Sequence, residues 1–566
     1  MRNLKHLIFL FLSVYLICSL SSCSSDDDNN ELTGDPTITF GMEEYKVKIG
    51  RDLAIQANVE NAVNPMYSWK LEGRIISVDP ELIFNQNDAG EYFVTLRIDA
   101  ENGTAEKQIK ISVQDKLPPE INVSSSIIAY SGKDTEISAE VLYAEDATYV
   151  WRLDGKIVSE SKTYVFNQTK LGAQTLSLKV SNEDGTDMQV ITVTTLPEPT
   201  PELFFDNGHY RVASNINELR KMTVPLGKSL VLAPVICNIE NPTTFKWTVD
   251  GATQSSTTGY FKFTPSEKGV YLITVTEQSS SAKAEVQVTC TEPEGTYFRP
   301  VKTGNKATAA TVFDYIPAPG QFVNYQIGST KAKALQDAQN WLNTGNTSGY
   351  IHIGAYGGYW IAGFDHSVKN EEGKADLLIK GNAFAGWSEP GIVWVMQDEN
   401  GNGLPDDTWY ELKGSEADSK DTKYRYAITY YKPNASGSNV LWTDNIGRSN
   451  SVDYNGYHSQ AYYFPMFIAE NYYTLVGTCL AANFFVEGGI EYAKDLPWGY
   501  VDNYNSDKTK PMNEFWIENA IQADGSPANL KHIDFVKVHT GTIGKGAAVG
   551  EVSTEACVPA DMNFNN

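Results

Sequence analysis

The chain has 566 residues, which at roughly 100 to 200 residues per domain allows about three to five domains. Its 70 Asp and Glu against 45 Lys and Arg give a formal charge of −25, a surface that repels phosphate backbones and excludes nucleic-acid binding. With 41% hydrophobic residues, 44 Gly and 24 Pro, it is a folded, turn-rich chain and neither disordered nor fibrous, so β structure is expected.

The opening run places Arg2 and Lys5 before an apolar stretch that ends in small residues, the layout of a bacterial export signal over residues 1–22. Leu20-Ser21-Ser22-Cys23 resembles the lipobox of bacterial lipoproteins. That resemblance implies cleavage before Cys23, lipidation of its thiol and a lipid anchor in the outer membrane. Residues 23–36, with Asp26, Asp27 and Asp28, cannot pack and read as a solvated acidic tether. They resemble the acidic export signal of Bacteroidota lipoproteins, which implies display on the extracellular face. No later stretch of about 18 apolar residues follows, so the lipid is the expected anchor. Cys237, Cys290, Cys479 and Cys557 lack CxxC spacing; pairing of Cys237 with Cys290 or Cys479 with Cys557, and buried free thiols, are both open.

One pattern then occurs three times: Tyr67, Trp69 and Leu71 before Glu72-Gly73; Tyr149, Trp151 and Leu153 before Asp154-Gly155; Phe245, Trp247 and Val249 before Asp250-Gly251. The alternation is that of a half-buried strand, and the acidic residue followed by Gly makes a tight hairpin turn. Each repeat adds a second alternating run: Tyr92, Val94, Leu96, Ile98; Leu176, Leu178, Val180; and Val270, Leu272, Thr274. The tryptophans are read as core, between opposing sheets of an immunoglobulin-like sandwich. With Phe84-Asn85 and Phe166-Asn167, the repeats resemble PKD-like domains of bacterial surface proteins. Boundaries fall at Pro-rich joints, giving domains at 37–116, 117–197 and 198–293, with stiff linkers that make the array a spacer.

Residues 297–566 hold 8 of the 11 Trp and 20 of the 31 Tyr. One helix is expected from Thr330 to Leu342, capped by Ser329 or Thr330 and stopped before Gly345. Strands are expected at 350–354, 375–380, 392–396, 424–430 and 533–538. The predicted architecture is all-β: three tandem immunoglobulin/PKD-like sandwiches, then a larger jelly-roll-like sandwich with one or two short helices.

Asp398, Asn400, Asn402 and Asp406 fall at positions 1, 3, 5 and 9 of a loop with Gly403 at 6, and the Leu404 carbonyl at 7. That is the front half of a calcium loop, since Ca²⁺ takes six to eight oxygens. Position 12 is Trp409, so Asp407 or Glu411 would complete a structural Ca²⁺ site. A second candidate, for ligand binding, combines glycines with aromatic faces: Tyr356, Tyr359, Trp360, Asp365 and His366, then Asn382, Phe384, Trp387 and Glu389. Tyr457-His458, Tyr462-Tyr463, Trp498-Gly499-Tyr500 and Asp502-Asn503 are weaker candidates of the same kind. The histidines lack HExxH spacing, and no GxSxG elbow, P-loop or dinucleotide fingerprint occurs, so binding is expected in place of catalysis.

GGYWIAGFDHSVKN, KGNAFAGWSEPGIVWVMQDENGNGLPDDTWYELKGSE, PWGYVDNYN, IDFVKVHTG and GEVSTE together look like the C-terminal domain of Bacteroidota "cell surface protein" lipoproteins that carry PKD-like repeats. The likeness covers nearly all of 297–566 and departs at Ala355 and Trp360. It brings no catalytic residues. It implies a TonB-dependent outer-membrane transporter as partner, and capture of a nutrient: first a corrinoid such as vitamin B12, then a glycan. Adhesion or scaffolding by the array is the remaining expectation.

Overall fold

The computed structural model describes residues 34–566 except 326, 344–349, 457–459, 488–489, 505–511, 547–548 and 565–566. The export signal, Cys23, most of the acidic tether and the candidates Tyr457 and His458 lie outside the described residues. The chain is nearly all-β, as its alternating patterns require, and it contains tandem immunoglobulin-like sandwiches.

Each repeat builds one five-stranded sheet with the same topology. In the first, Glu44–Lys48 pairs parallel with Gly103–Gln114, which is followed by antiparallel Gly90–Ala100, Met66–Leu71 and Arg74–Ser77. The second and third repeat that order, and each starts with a strand pairing parallel to the last strand of its sheet. Trp69, Trp151 and Trp247 are fully buried. Their indole N–H groups donate to the carbonyls of Asp79 (2.9 Å), Ser161 (2.9 Å) and Thr258 (2.8 Å), so each polar edge is satisfied inside its core. The hairpins turn at Glu72-Gly73, Asp154-Gly155 and Asp250-Gly251, with positive φ at both residues of every pair, the geometry that favours Gly second. In the third repeat the register differs from expectation by one residue: Ile273 and Val275 are buried, while Val270 and Leu272 face outward.

In the C-terminal region a six-stranded sheet runs β1 (Thr311–Ile316), β2 (Tyr359–Lys369), β12 (His532–Thr540), β3 (Gly391–Met396), β4 (Trp409–Leu412), β11 (Ala520–Ile521). A four-stranded sheet runs β7 (Ser449–Val452), β6 (Val440–Asp444), β5 (Lys423–Tyr431), β8 (Tyr472–Cys479), and a hairpin is formed by β9 (Phe484–Glu487) and β10 (Ile490–Ala493). Strand alternation divides β2 between two cores. Tyr359 and Ile361 face the four-stranded sheet, among Tyr426, Ile428, Tyr430, Tyr473 and Leu475. Trp360, Ala362 and Phe364 face the other way, toward helix α1 (Lys331–Asn343) and its buried Ala334, Ala338 and Leu342. Thr330 caps that helix through Lys333 N–H (3.3 Å). The facing sheets match the sandwich expectation, with the second face of the central sheet covered as well.

The third sandwich is no free spacer: it shares one compact unit with the C-terminal region. Thr223 N–H donates to Thr408 Oγ1 (3.0 Å), and that hydroxyl donates to the Thr223 carbonyl (2.6 Å). Arg211 and Thr474 exchange backbone hydrogen bonds (2.9 and 2.7 Å), and Lys537 Nζ donates to the Gly208 carbonyl (2.6 Å). Gly208 is required there: φ is +84°, and a Cβ would lie 2.4 Å from Trp409 Cδ1. Phe204, Val235 and Cys237 form one apolar cluster with Ala427 and Val476.

Cys237, Cys290, Cys479 and Cys557 are buried free thiols, which leaves neither proposed disulfide in place. Among the described residues no helix is long and apolar enough to cross a membrane.

Candidate functional site

The predicted aromatic loop divides into a buried half and an exposed half. Tyr356, Tyr359 and Trp360 are core residues, a correction to their expected place in a binding mouth. The reason is that 359–369 forms a central strand covered on both faces, and its glycine-rich, all-apolar start reads as a loop. Tyr359 is instead a junction with the third sandwich. Its hydroxyl donates to Asp314 Oδ2 (2.8 Å) and accepts from Tyr210 N–H (3.1 Å), and Lys537 Nζ lies 4.3 Å from its ring centroid. Burial opposes ionisation of Asp314, but hydrogen bonding from His209 and the charge of Lys331 hold its carboxyl well below the usual range.

His366 is likewise withdrawn from any mouth. It is buried between Asp365 Oδ1 (2.9 Å from Nδ1) and Asp561 Oδ2 (3.0 Å from Nε2). Burial works against its protonation, yet the two carboxylates prevail and raise its pKa. This is a structural clamp, and Asp365 is occupied in it.

Asn382, Phe384, Trp387 and Glu389 are brought to one end of the domain. Phe384 and Trp387 exchange backbone hydrogen bonds (3.1 and 2.9 Å) across a tight turn that leaves Phe384 62% exposed and Trp387 half-buried. Trp387 meets Phe484 edge to face (6.2 Å), and Phe485 stacks on Tyr492 (5.4 Å, 18°). Phe485, Val486 and Ile490 are exposed beside them. The β9–β10 hairpin is the part that sequence reasoning missed. Its signal was present as Phe484-Phe485-Val486 and Ile490-Glu491-Tyr492 flanking Gly488-Gly489.

Beneath this face Glu389 meets Asp502 and Glu555, all buried, with one carboxylate oxygen from each lying within 4.8 Å of the others. Asp502 accepts from the N–H groups of Asn382 (2.7 Å), Ala383 (2.8 Å) and Glu555 (2.8 Å). Gly381 permits this approach, because a Cβ would sit 2.3 Å from Asp502 Oδ1. Glu389 accepts from Ser553 N–H (2.9 Å), and Glu555 pairs with His352 Nδ1 (2.9 Å). Burial raises all three carboxyls, Asp502 to about 7, and lowers His352 to about 4, so the imidazole brings no compensating charge. Three oxygen donors of this kind suit a hard cation.

The 398–406 loop curls as its spacing requires. The side-chain amides of Asn400 (2.9 Å) and Asn402 (3.0 Å) donate to Asp406, and Asn400 also reaches Asp407 (2.9 Å). Asp398 Oδ2 accepts from Gly403 N–H (3.0 Å), while its Oδ1 is buried with no hydrogen-bond partner among the described residues. Asn400 Oδ1 accepts from Asn402 N–H (2.9 Å) and Asn402 Oδ1 from Leu404 N–H (2.7 Å), so turning both oxygens inward requires these two bonds to break. Leu404 is exposed. Glu411 is engaged elsewhere, with Thr478 (2.5 Å), so Asp407 is the residue in place to complete the loop.

The model of the PKD-like domain matches residues 36–101 and 118–182, the first two sandwiches. Similar solved structures include the fibronectin(III)-like modules of Clostridium thermocellum CbhA, at 15% identity, covering 29% of this chain and 94% of that one with a TM-score of 0.17. An I-band fragment of titin is 13% identical, covering 46% and 98%, with a TM-score of 0.14. Sidekick-1 immunoglobulin domains 1–4 are 13% identical, covering 50% and 79%, with a TM-score of 0.15. No curated protein matches the chain.

Proposed function

We propose that this chain is a surface-displayed binding protein whose C-terminal region captures an extracellular nutrient at the exposed aromatic face formed by Phe384, Trp387, Phe485 and Tyr492. The observation that carries the reading is that face itself. Phe384 and Phe485 are exposed and Trp387 and Tyr492 half-buried at this end of the domain, beside polar Asn382; exposed rings are costly to leave uncovered and suit ligands with stacked apolar faces and a polar rim. The PKD-like sandwiches are of a type suited to adhesion and scaffolding. Lipidation at Cys23 holds the chain on the extracellular side of the outer membrane, and a TonB-dependent transporter receives the nutrient.

A glycan now stands ahead of a corrinoid. Tyr356, Tyr359 and Trp360, which suggested a mouth for a large flat ligand, are core, and the partly open pocket beside Tyr356 holds about 180 Å³. Clefts that enclose drug-sized ligands run to roughly 300–1,000 Å³. An open face fits a saccharide chain lying across it. Titration calorimetry of the full chain against a glycan panel and cyanocobalamin tests this: saturable binding of a glycan is expected, and binding of cyanocobalamin alone would restore the corrinoid.

Ca²⁺ in the 398–406 loop is part of the proposal, held by Asp398, Asn400, Asn402, the Leu404 carbonyl, Asp406 and Asp407. The buried, unpartnered Asp398 Oδ1 supports it. Chelation is expected to lower the melting temperature of the wild type and to leave Asp398→Ala unaffected; identical melting of the wild type with Ca²⁺ and with chelator would remove the ion.

A further inference from the structure

An open cleft of about 310 Å³ lies on the outer face of the four-stranded sheet, and none of its lining residues belongs to the aromatic face. All of them lie in the compact unit that holds the third sandwich and the C-terminal region. Strand alternation builds its floor. Ile428, Tyr430, Trp442, Tyr473 and Leu475 point into the core, so Thr429, Tyr431, Thr443, Tyr472 and Thr474 project from the opposite face. The register sets Thr429 between Thr443 and Thr474, and puts Tyr431 opposite Tyr472 with their rings 6.2 Å apart. Tyr130, Leu196 and Pro199 form a second wall, and Arg211 and Ile216 a third. Tyr130, Tyr431 and Tyr472 are half-buried, so each ring keeps surface to offer. Thr429 and Thr474 share one hydrogen bond (2.8 Å), as do Tyr431 and Thr443 (2.9 Å), which leaves each pair one O–H to donate. The hydroxyls of Tyr130 and Tyr472 make no hydrogen bond among the described residues, and neither is enclosed by protein. Burial and the Asp444 carboxylate raise the Tyr130 phenol; burial outweighs the hydrogen bond with Thr443 and raises Tyr431, so both stay protonated donors. The charges at the cleft are already paired, Arg211 with Glu202 (2.5 Å) and Asp444 with Arg448 (2.6 Å).

We propose that this cleft binds one or two rings of a neutral saccharide, whose apolar faces lie on Tyr431 and Tyr472 and whose hydroxyls bond to Tyr130, Tyr472 and the threonine pair. Hydroxyl side chains are donors and acceptors at once, and a wall of them matches a polyol. An anion would have to separate Arg211 from Glu202, and an ammonium ion would find no uncommitted carboxylate. A purely apolar ligand would cover the open hydroxyls of Tyr130 and Tyr472 and take their water away, at the cost of two unmade hydrogen bonds. Junctions between packed modules are where such sites form, and the volume falls within the range of roughly 300–1,000 Å³ that holds small ligands.

This inference does not rest on the aromatic face, and the Phe384→Ser, Phe485→Ser double variant of the full chain separates the two. Ligand-observed NMR titration of that variant uses methyl glucoside, methyl galactoside and methyl N-acetylglucosaminide, with glucuronate and glucosamine as charged counterparts. At least one neutral glycoside is expected to bind saturably, and more tightly than either charged sugar. Adding Tyr130→Phe with Tyr472→Phe, which keeps the rings and removes two hydroxyls, should weaken that binding about tenfold with an unchanged unfolding transition. Adding Tyr431→Ala with Tyr472→Ala, which removes the stacking surface, should abolish it. Binding by the wild type that vanishes in the Phe384, Phe485 variant would assign the saccharide to the open face alone and overturn the cleft. Absence of binding by every neutral glycoside, equal binding of the charged sugars, or binding indifferent to the tyrosine changes would overturn it as well.

Discussion

Expressed alone, residues 297–566 are expected to fail to form a cooperative domain, whereas residues 198–566 unfold in a single transition. The third sandwich supplies part of the C-terminal core: Val212 is buried among Tyr359, Tyr426 and Leu475, and Phe204 among Ala427 and Val476. Without it Trp409 and Tyr359 lose their cover, and Lys537 loses the Gly208 carbonyl. The same interface can be tested in the whole chain. Gly208→Val places a branched side chain where Trp409 already sits and at a φ of +84°, a combination of overpacking and backbone strain that costs several kcal/mol, on the order of the largest single-site effects. Calorimetric scans check both arms. A sharp, reversible transition for 297–566 with the stability of 198–566 would show that the repeat is only attached.

Stability is expected to fall as pH rises from 5 to 8, against the common trend for acidic proteins. Burial raises Glu551 to about 8 and Glu411 to about 7, despite hydrogen bonds from Gln321 N–H and Thr478 that favour ionisation. Between the ordinary glutamate value of 4.5 and those values, the folded chain keeps protons that the unfolded chain has released. The unfolded state therefore binds fewer protons and each group removes roughly 1.4 kcal/mol per pH unit, a loss absent below the ordinary value and complete above the folded one. His366, raised by Asp561 and Asp365 against the opposing effect of burial, adds a loss of the same sign as pH passes its folded value. Asp314 and Glu277, which are lowered, gain their stability at and below the ordinary carboxylate range and leave the 5 to 8 window unchanged, while His352 and His539, lowered by burial to about 4 and about 3, gain stability as pH rises to 6.5 and offset part of the loss in the lower half of the window. Glu551→Gln should flatten the slope by one proton's share in denaturant titrations at several pH values, and an unchanged slope would mean the carboxyl is solvated.

What the sequence revealed follows the range of the interactions involved. The three tryptophans and their Glu-Gly or Asp-Gly turns are local patterns, and strand period plus turn chemistry was enough to place them in cores. The strand at 359–369 was hidden because both of its faces are buried, which erases the alternation that marks a half-exposed strand. Its aromatics then looked like a binding surface. In the third repeat, Val270-Tyr271-Leu272-Ile273-Thr274-Val275 offers apolar residues on both faces, so the pattern fixed the strand without its register. The Glu389, Asp502 and Glu555 cluster was out of reach, since its members are far apart in the chain and meet only through tertiary contacts. Phe384 and Trp387 share one tight turn, and the hairpin carrying Phe484, the ring that Trp387 meets, was legible in the sequence and was passed over.

The account depends on the aromatic face being the place where ligand is held. The direct measurement is the affinity of the full chain for the glycan selected by calorimetry, compared with that of the Phe384→Ser, Phe485→Ser double variant. Loss of at least tenfold in affinity with an unchanged melting temperature is predicted, since both rings are exposed and support little of the fold. Equal affinity in the two proteins would contradict the account and return recognition to another surface of the chain.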